Sequence, residues 1–239
     1  MRAYDKHTIG VESVRYRTKN GVGTEENHLK KITNIALLAL GGVSGIGAII
    51  AYILGDISIT RFIQRFDERY FYKLMVAVSW PGYLGRQWIA ALFIVALLLR
   101  FRLRIEAACL LLSAMSSWLL VNAIKLIIER RRPSPDMVKV FEHPVSWSFP
   151  SGHVASYMAL YGFLFYMVYS LMRPSPLRYT LLIVCGAMIS LIGVSRVYLG
   201  AHWASDVFGG YSFGFFWLSL TIYVYRRSKN TESAEALSQ

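Results

Sequence analysis

The sequence predicts an all-α fold, a polytopic membrane bundle of six transmembrane helices with an interfacial amphipathic helix beside it. Three observations predict it. Of the 239 residues, 55% are hydrophobic, above the ~45–50% of an ordinary soluble domain. Mean hydropathy is clearly positive. Several apolar runs reach the ~20 residues that a helix needs to cross a bilayer. The length suits one domain, which divides into a polar tail over residues 1–33, a six-span domain over 34–225 and a second polar tail over 226–239.

The net charge of +12 reads first as topology, because basic residues accumulate in cytoplasmic loops. Nucleic acid is not an expected partner, since the cations flank apolar spans and build no single soluble face. Membrane lipids are the expected surroundings, and the basic tail could also touch anionic headgroups. Cys109 and Cys185 fall inside predicted spans and read as small apolar packing residues, without metal-ligand spacing. About thirty polar residues precede the first apolar run, which does not fit a cleavable signal peptide.

The first span, Asn34–Leu54, carries Gly41 and Gly45 at the small-xxx-small spacing that lets two helices approach closely. Residues 55–82 place Ile57, Ile59, Phe62, Ile63, Phe66 and Tyr70 near helical spacing, with Arg61, Arg65, Asp67 and Arg69 between them. This predicts an amphipathic helix lying in the interface; a simple surface connection is the alternative. Trp80-Pro81-Gly82 ends it. The second span is Tyr83–Leu99, followed by a basic turn with Arg100, Arg102 and Arg104. The third runs from Ile105 to Ile128 and gives way to Glu129, three arginines, Pro133 and a polar loop reaching Phe149. The fourth is Ser151–Met172, the fifth Tyr179–Val197, and the sixth starts near His202 and ends before Arg226 and Arg227.

With a cytoplasmic N-terminus, six spans put both tails and the basic 100–104 and 173–178 turns inside, as the positive-inside bias requires. The same count puts the 129–150 loop and the 198–202 turn outside. Three polar clusters then meet at the extracytoplasmic face. Arg130, Arg131 and Arg132 lie there against the bias, so they call for a functional explanation.

The clusters carry recognisable chemistry. His202 and Asp206 are four residues apart at a helix start and share one face. A carboxylate there could accept the imidazole Nδ1–H and leave Nε2 with its lone pair, a nucleophile at neutral pH. A helix-capping pair is the plain alternative, and an intramembrane carboxylate tilts the reading toward function. His153 sits in the first turn of the fourth span and titrates ordinarily near ~6.5, which suits protonation of a leaving alkoxide. Ser151 and Gly152 open the same helix, where backbone N–H groups bind anions and glycine permits close approach; an ordinary N-cap is the alternative. Lys125 lies about two helical turns before Arg132, and Arg196 six residues before His202. Arginine can grip a phosphate bidentately, whereas lysine acts as a point charge.

Together, Lys125–Pro133 (KLIIERRRP), Pro150–His153 (PSGH) and Ser195–Asp206 (SRVYLGAHWASD) resemble the three-part signature of the type 2 phosphatidic acid phosphatase superfamily, its bacterial membrane branch included. The resemblance covers roughly residues 34–225. It implies a lipid phosphatase in which His202 attacks phosphorus to form a phosphohistidine and Asp206 orients it. His153 would protonate the leaving oxygen and then activate water. Lys125, Arg132, Ser151, Gly152 and Arg196 would hold the phosphate. No metal or other cofactor is expected. The substrate class it implies is a lipid phosphate or pyrophosphate, either undecaprenyl pyrophosphate or a phosphatidyl type. Lipid A dephosphorylation, phosphoryl transfer to another acceptor, and a catalytically silent lipid-phosphate binder are the alternatives. The oligomeric state is left open.

Overall fold

The computed structural model describes residues 23–237 except Asp67 and Leu84, with side chains described over 31–232 apart from those two. The basic tail residues Arg2, Lys6, Arg15, Arg17 and Lys19, together with Asp67 of the interfacial segment, lie outside the described residues. Described regular structure is entirely helical: α1 (Gly23–Leu54), α2 (Asp56–Ile63), α3 (Arg69–Ser79) with a 3₁₀ turn at Trp80–Gly82, α4 (Arg86–Arg100), α5 (Arg104–Ile128), α6 (Gly152–Leu171), α7 (Pro176–Tyr198) and α8 (Ala204–Leu237).

The apolar runs become helices because the bilayer offers backbone N–H and C=O groups no partners outside the helix itself. Five helices are long and apolar enough to cross a membrane, and the bent pair formed by Arg69–Gly82 and Arg86–Arg100 raises this to six if it counts as one span. The outward faces of these helices are apolar, with Ile46, Ile53, Leu126, Ile127 and Ile183 all exposed. The protein is a multi-pass membrane protein.

Interior packing follows the small residues. α1 lies along α8, and a Cβ at Gly41 or Gly45 would meet Ser212 or Phe215 at 3.2–3.3 Å, so the small-xxx-small spacing does serve close approach. One apolar cluster, with Leu110, Met158, Phe163, Leu218 and Ile222, fills the end opposite the three motifs. A second, with Val154, Tyr157, Ile192, Val197 and Val207, lies beneath the motif end. α6 widens into a π-helical turn at Met158–Gly162, where a Cβ on Gly162 would come within 2.8 Å of Leu218.

Two regions differ from expectation. Residues 55–82 form two short helices and a turn instead of one interfacial helix. Gly55, at φ +94°, turns the chain between α1 and α2, and α3 buries Met75, Val78 and Ser79 against α7. The helix continues across Trp80-Pro81-Gly82 as a 3₁₀ turn and then bends by 63° into α4. Pro81 causes no break because it occupies the first turn of that short element, where a missing N–H costs nothing. At the other end, α8 does not stop at residue 225 but runs to Leu237. Its inner part is anchored where Tyr225 donates to buried Glu106 at 3.0 Å and Lys229 pairs with the same carboxylate at 3.2 Å.

Candidate active site

The antiparallel order of α5, α6, α7 and α8 brings the end of α5, the start of α6, the end of α7 and the start of α8 to one end of the bundle. α5 stops at Ile128 because Glu129 takes a left-handed cap conformation, φ 48° and ψ 36°. Lys125 therefore stays on the helix and Arg132 leaves it. The Lys125 side chain is buried, and its ammonium donates to the Trp147 and Ser148 carbonyls of the returning loop.

Arg132 organises this loop. Its Nε donates to Ser146 O at 2.5 Å, its NH1 to Ala201 O at 2.5 Å and its NH2 to Trp147 O at 3.0 Å. NH1 also lies 3.1 Å from His202 Nε2. A guanidinium only donates, so Nε2 presents its lone pair and Nδ1 carries the hydrogen. Burial and the Arg196 charge bring the Arg132 guanidinium down to about 10. Burial and then the charges of Arg132, Arg196 and Lys125 hold the His202 imidazole well below its ordinary value. His202 is thus a neutral imidazole with an accessible lone-pair nitrogen among cations.

Asp206 is engaged differently from the sequence expectation. Its Oδ2 is 3.6 Å from His202 Nδ1, too far for a hydrogen bond. That oxygen accepts instead from Ser148 Oγ at 2.5 Å and from the Trp203 backbone N–H at 2.9 Å. Oδ1 accepts from Arg130 at 2.5 Å. The Trp203 bond explains why α8 begins here, because Asp206 satisfies a free N–H at the helix entry.

The start of α6 is built as an open anion-facing end. Ser151 does not cap it: no side-chain cap bond forms, and its buried Oγ has no hydrogen-bond partner. The expectation of a free N–H at Ser151 fails, since that group donates to Asp206 O at 3.0 Å. Gly152 faces Lys125, whose Cε would lie 3.9 Å from an added Cβ. His153 Nε2 is also buried without a hydrogen-bond partner. Gly82 backs this imidazole, and the Tyr83 ring meets it edge-on at 5.5 Å.

Arg196 is fully buried, and its Nε has no hydrogen-bond partner. Its NH1 donates to Ser79 Oγ at 3.0 Å and its NH2 pairs with Glu142 at 2.8 Å. Glu142 also accepts from the Tyr83 hydroxyl. Sequence reasoning missed Ser79, Tyr83, Glu142, Ser148, Arg130 and Asp56. Only Arg130 left a signal, as part of an arginine triplet on the face that the charge bias disfavours.

The structure thus brings Lys125, Arg132, Ser151, Gly152, His153, Arg196, His202 and Asp206 to the same end of the bundle. Ser151 Oγ, His153 Nε2 and Arg196 Nε are left as buried polar atoms without protein partners. That set is one to two cationic donors, a hydroxyl and an imidazole, and it fits an oxyanion. Among the described residues no group of three or more His, Cys, Asp and Glu side chains could hold a metal ion.

The PAP2 superfamily matches residues 106–230 of the chain. The chain is 39% identical over 97 residues to phosphatidylglycerophosphatase B of Bacillus subtilis strain 168, covering 40% of this chain and 46% of that protein. It is 33% identical over 127 residues to the lipid A 1-phosphatase of Rhizobium etli, covering 50% of each. The chain therefore spans about half the length of these curated relatives. Among solved structures, it resembles the transmembrane PAP2 type phosphatidylglycerolphosphate phosphatase of Bacillus subtilis with a TM-score of 0.67 and 25% identity, over 82% of this chain and 96% of that one. It shares its fold with Aquifex aeolicus LpxE at a TM-score of 0.53 and 24% identity, over 70% of this chain and 93% of that one.

Proposed function

The chain belongs to the PAP2 superfamily, and we propose on that premise that it hydrolyses a lipid phosphate at the extracytoplasmic face without a metal, through a phosphohistidine on His202. The observation that carries the reading is the meeting of a neutral His202, bearing its lone pair on Nε2, with Lys125, Arg132 and Arg196. A silent binder needs the cations but has no use for an imidazole kept neutral among them.

In the first step the Nε2 lone pair attacks phosphorus and the ester P–O bond breaks. The bonding pair leaves on the lipid oxygen, which takes a proton from His153. In the second step His153 removes a proton from water, the water oxygen bonds to phosphorus and the P–N bond breaks, freeing phosphate and His202. Lys125, Arg132, Arg196, the Ser151 hydroxyl and the Gly152 N–H stabilise the equatorial oxygens, a contribution that grows as charge builds up there. Asp206 holds the α8 entry so that Nε2 faces the phosphate.

The substrate favoured by the named relatives is phosphatidylglycerophosphate; a lipid A phosphate is the second reading, favoured by the similarity to the Rhizobium etli protein. Both termini are assigned to the cytoplasm, since the basic 100–104 and 173–178 turns lie opposite the site. The test is phosphate release in detergent with excess chelator, on phosphatidylglycerophosphate, phosphatidic acid, undecaprenyl pyrophosphate and a lipid A phosphate. Chelator-resistant release that His202→Ala abolishes is the expected result. Release that survives in His202→Ala refutes the mechanism. Release that stops with the chelator refutes metal independence. No release from any substrate points to phosphoryl transfer and an acceptor screen.

A further inference from the structure

The residue that ties the α1–α2 turn to the site lies far outside the family-matched region. Asp56 is the first residue of α2, set there by the positive φ of Gly55. Its carboxylate is buried, 9% exposed at the side chain. Oδ1 accepts the backbone N–H of Ser205 at 2.8 Å. Oδ2 accepts the Ser205 hydroxyl at 2.6 Å and Arg130 NH2 at 2.6 Å. The other end of the same guanidinium, NH1, donates to Asp206 Oδ1 at 2.5 Å and to Ser205 Oγ at 2.6 Å.

Three features make this more than a surface ion pair. Asp206 is wholly buried, and a buried carboxylate needs both charge and hydrogen-bond compensation. Arg130 supplies the charge, and its planar fork can reach Asp206 only in the orientation that Asp56 fixes. Second, Ser205 is in the first turn of α8, where backbone N–H groups lack intrahelical partners. Asp56 caps that turn from a different helix. Third, His202 and Asp206 flank Ser205 in sequence, so the pitch and start of this turn set both side chains.

We propose that Asp56 is a positioning residue for the reaction, acting through Arg130 and Ser205 on Asp206 and thereby on the aim of His202. The inference rests on the reading of His202 as nucleophile. Asp56 touches none of Lys125, Arg132 or Arg196, so it affects the chemical step and not phosphate capture. Its replacement lowers kcat and leaves KM nearly unchanged.

The experiment measures kcat, KM and the thermal midpoint of the purified full chain in detergent for Asp56→Asn and Asp56→Glu, with His202→Ala in parallel. The substrate is whichever lipid phosphate the unaltered protein turns over fastest. Asp56→Asn keeps the shape but loses the charge and one acceptor, and kcat per folded molecule is expected to fall about 10- to 100-fold with KM within about twofold. Asp56→Glu retains the charge at a different reach and is expected to lose less. A lowered thermal midpoint with unchanged kcat per folded molecule overturns the proposal, as it reveals a structural role alone. A rise in KM at unchanged kcat overturns it as well. If Asp56→Asn does not fold, Asp56→Glu decides, and full kcat in that variant overturns the proposal. Turnover persisting in His202→Ala instead refutes the nucleophile assignment, whatever Asp56 does.

Discussion

Gly82→Ala tests the placement of His153 with a single methyl group. An added Cβ at this position lies 2.4 Å from His153 Cδ2, 3.1 Å from its Nε2 and 2.8 Å from Tyr157 Cε2. Ordinary contact begins near 3.4 Å, so the imidazole must retreat by about 1 Å, a displacement that can cost ~10²-fold in rate. Tyr157 cannot yield in its place, because its ring is buried and its hydroxyl is held by Val78 O at 2.5 Å. Gly82 does not have a positive φ, so alanine adds no backbone strain and the effect is steric. The assay is steady-state phosphate release from lipid phosphate in detergent. The expected outcome is a kcat lowered on the order of 10²-fold with KM changed only a few-fold, since the phosphate-holding cations are elsewhere. Gly42→Ala is the control, because its Cβ would meet nothing within 4 Å. A Gly82→Ala protein with kcat within twofold of the unaltered chain would refute the assignment of His153 to proton transfer.

Two further outcomes follow from the site. The His202 imidazole is held well below its ordinary value by burial and three cations, and the nucleophile must be neutral. Its activity is therefore complete at neutral pH and lost only as pH falls through that depressed value. The acid limb of kcat/KM should lie below ~6.5, the ordinary histidine value; a limb above it would contradict the assigned environment. Gly200→Ala should destabilise the fold by at least about 2 kcal/mol. Gly200 has φ +67°, and an added Cβ would sit 2.2 Å from Lys139 O, a carbonyl that also accepts from Gln64. A thermal midpoint unchanged in detergent would show that the 129–150 loop does not seat on that turn.

Much of the fold was legible because hydropathy reports the surroundings of each segment. A run such as Asn34–Leu54 or Tyr179–Val197 has one stable form in lipid, a helix, and the order of such runs fixes which ends meet. The three motifs lie at consecutive span ends, so their co-location followed from counting. The segment 55–82 was misread because its apolar spacing is that of a helix, but periodicity does not reveal that Gly55 and residues 64–68 break it, or that Met75 and Ser79 face α7. The end of α8 was misread because a polar sequence past Arg226 suggests a tail, whereas the buried Glu106 draws Lys229 inward and keeps the helix going.

The sequence by itself determined the class of the molecule and the chemical inventory: cations, two imidazoles, a carboxylate and a small-residue helix start, at spacings that local helix geometry makes meaningful. Only the tertiary structure decided how those groups are wired. Asp206 turned from His202 toward Arg130 and Ser148, Arg196 took Ser79 and Glu142, and Asp56 entered from 150 positions before its farthest partner. These partners are separated by 54 to 149 residues, so no local pattern carries them. A buried charge takes whichever donor the packing of helices leaves within about 3 Å, and that is a property of how the bundle closes.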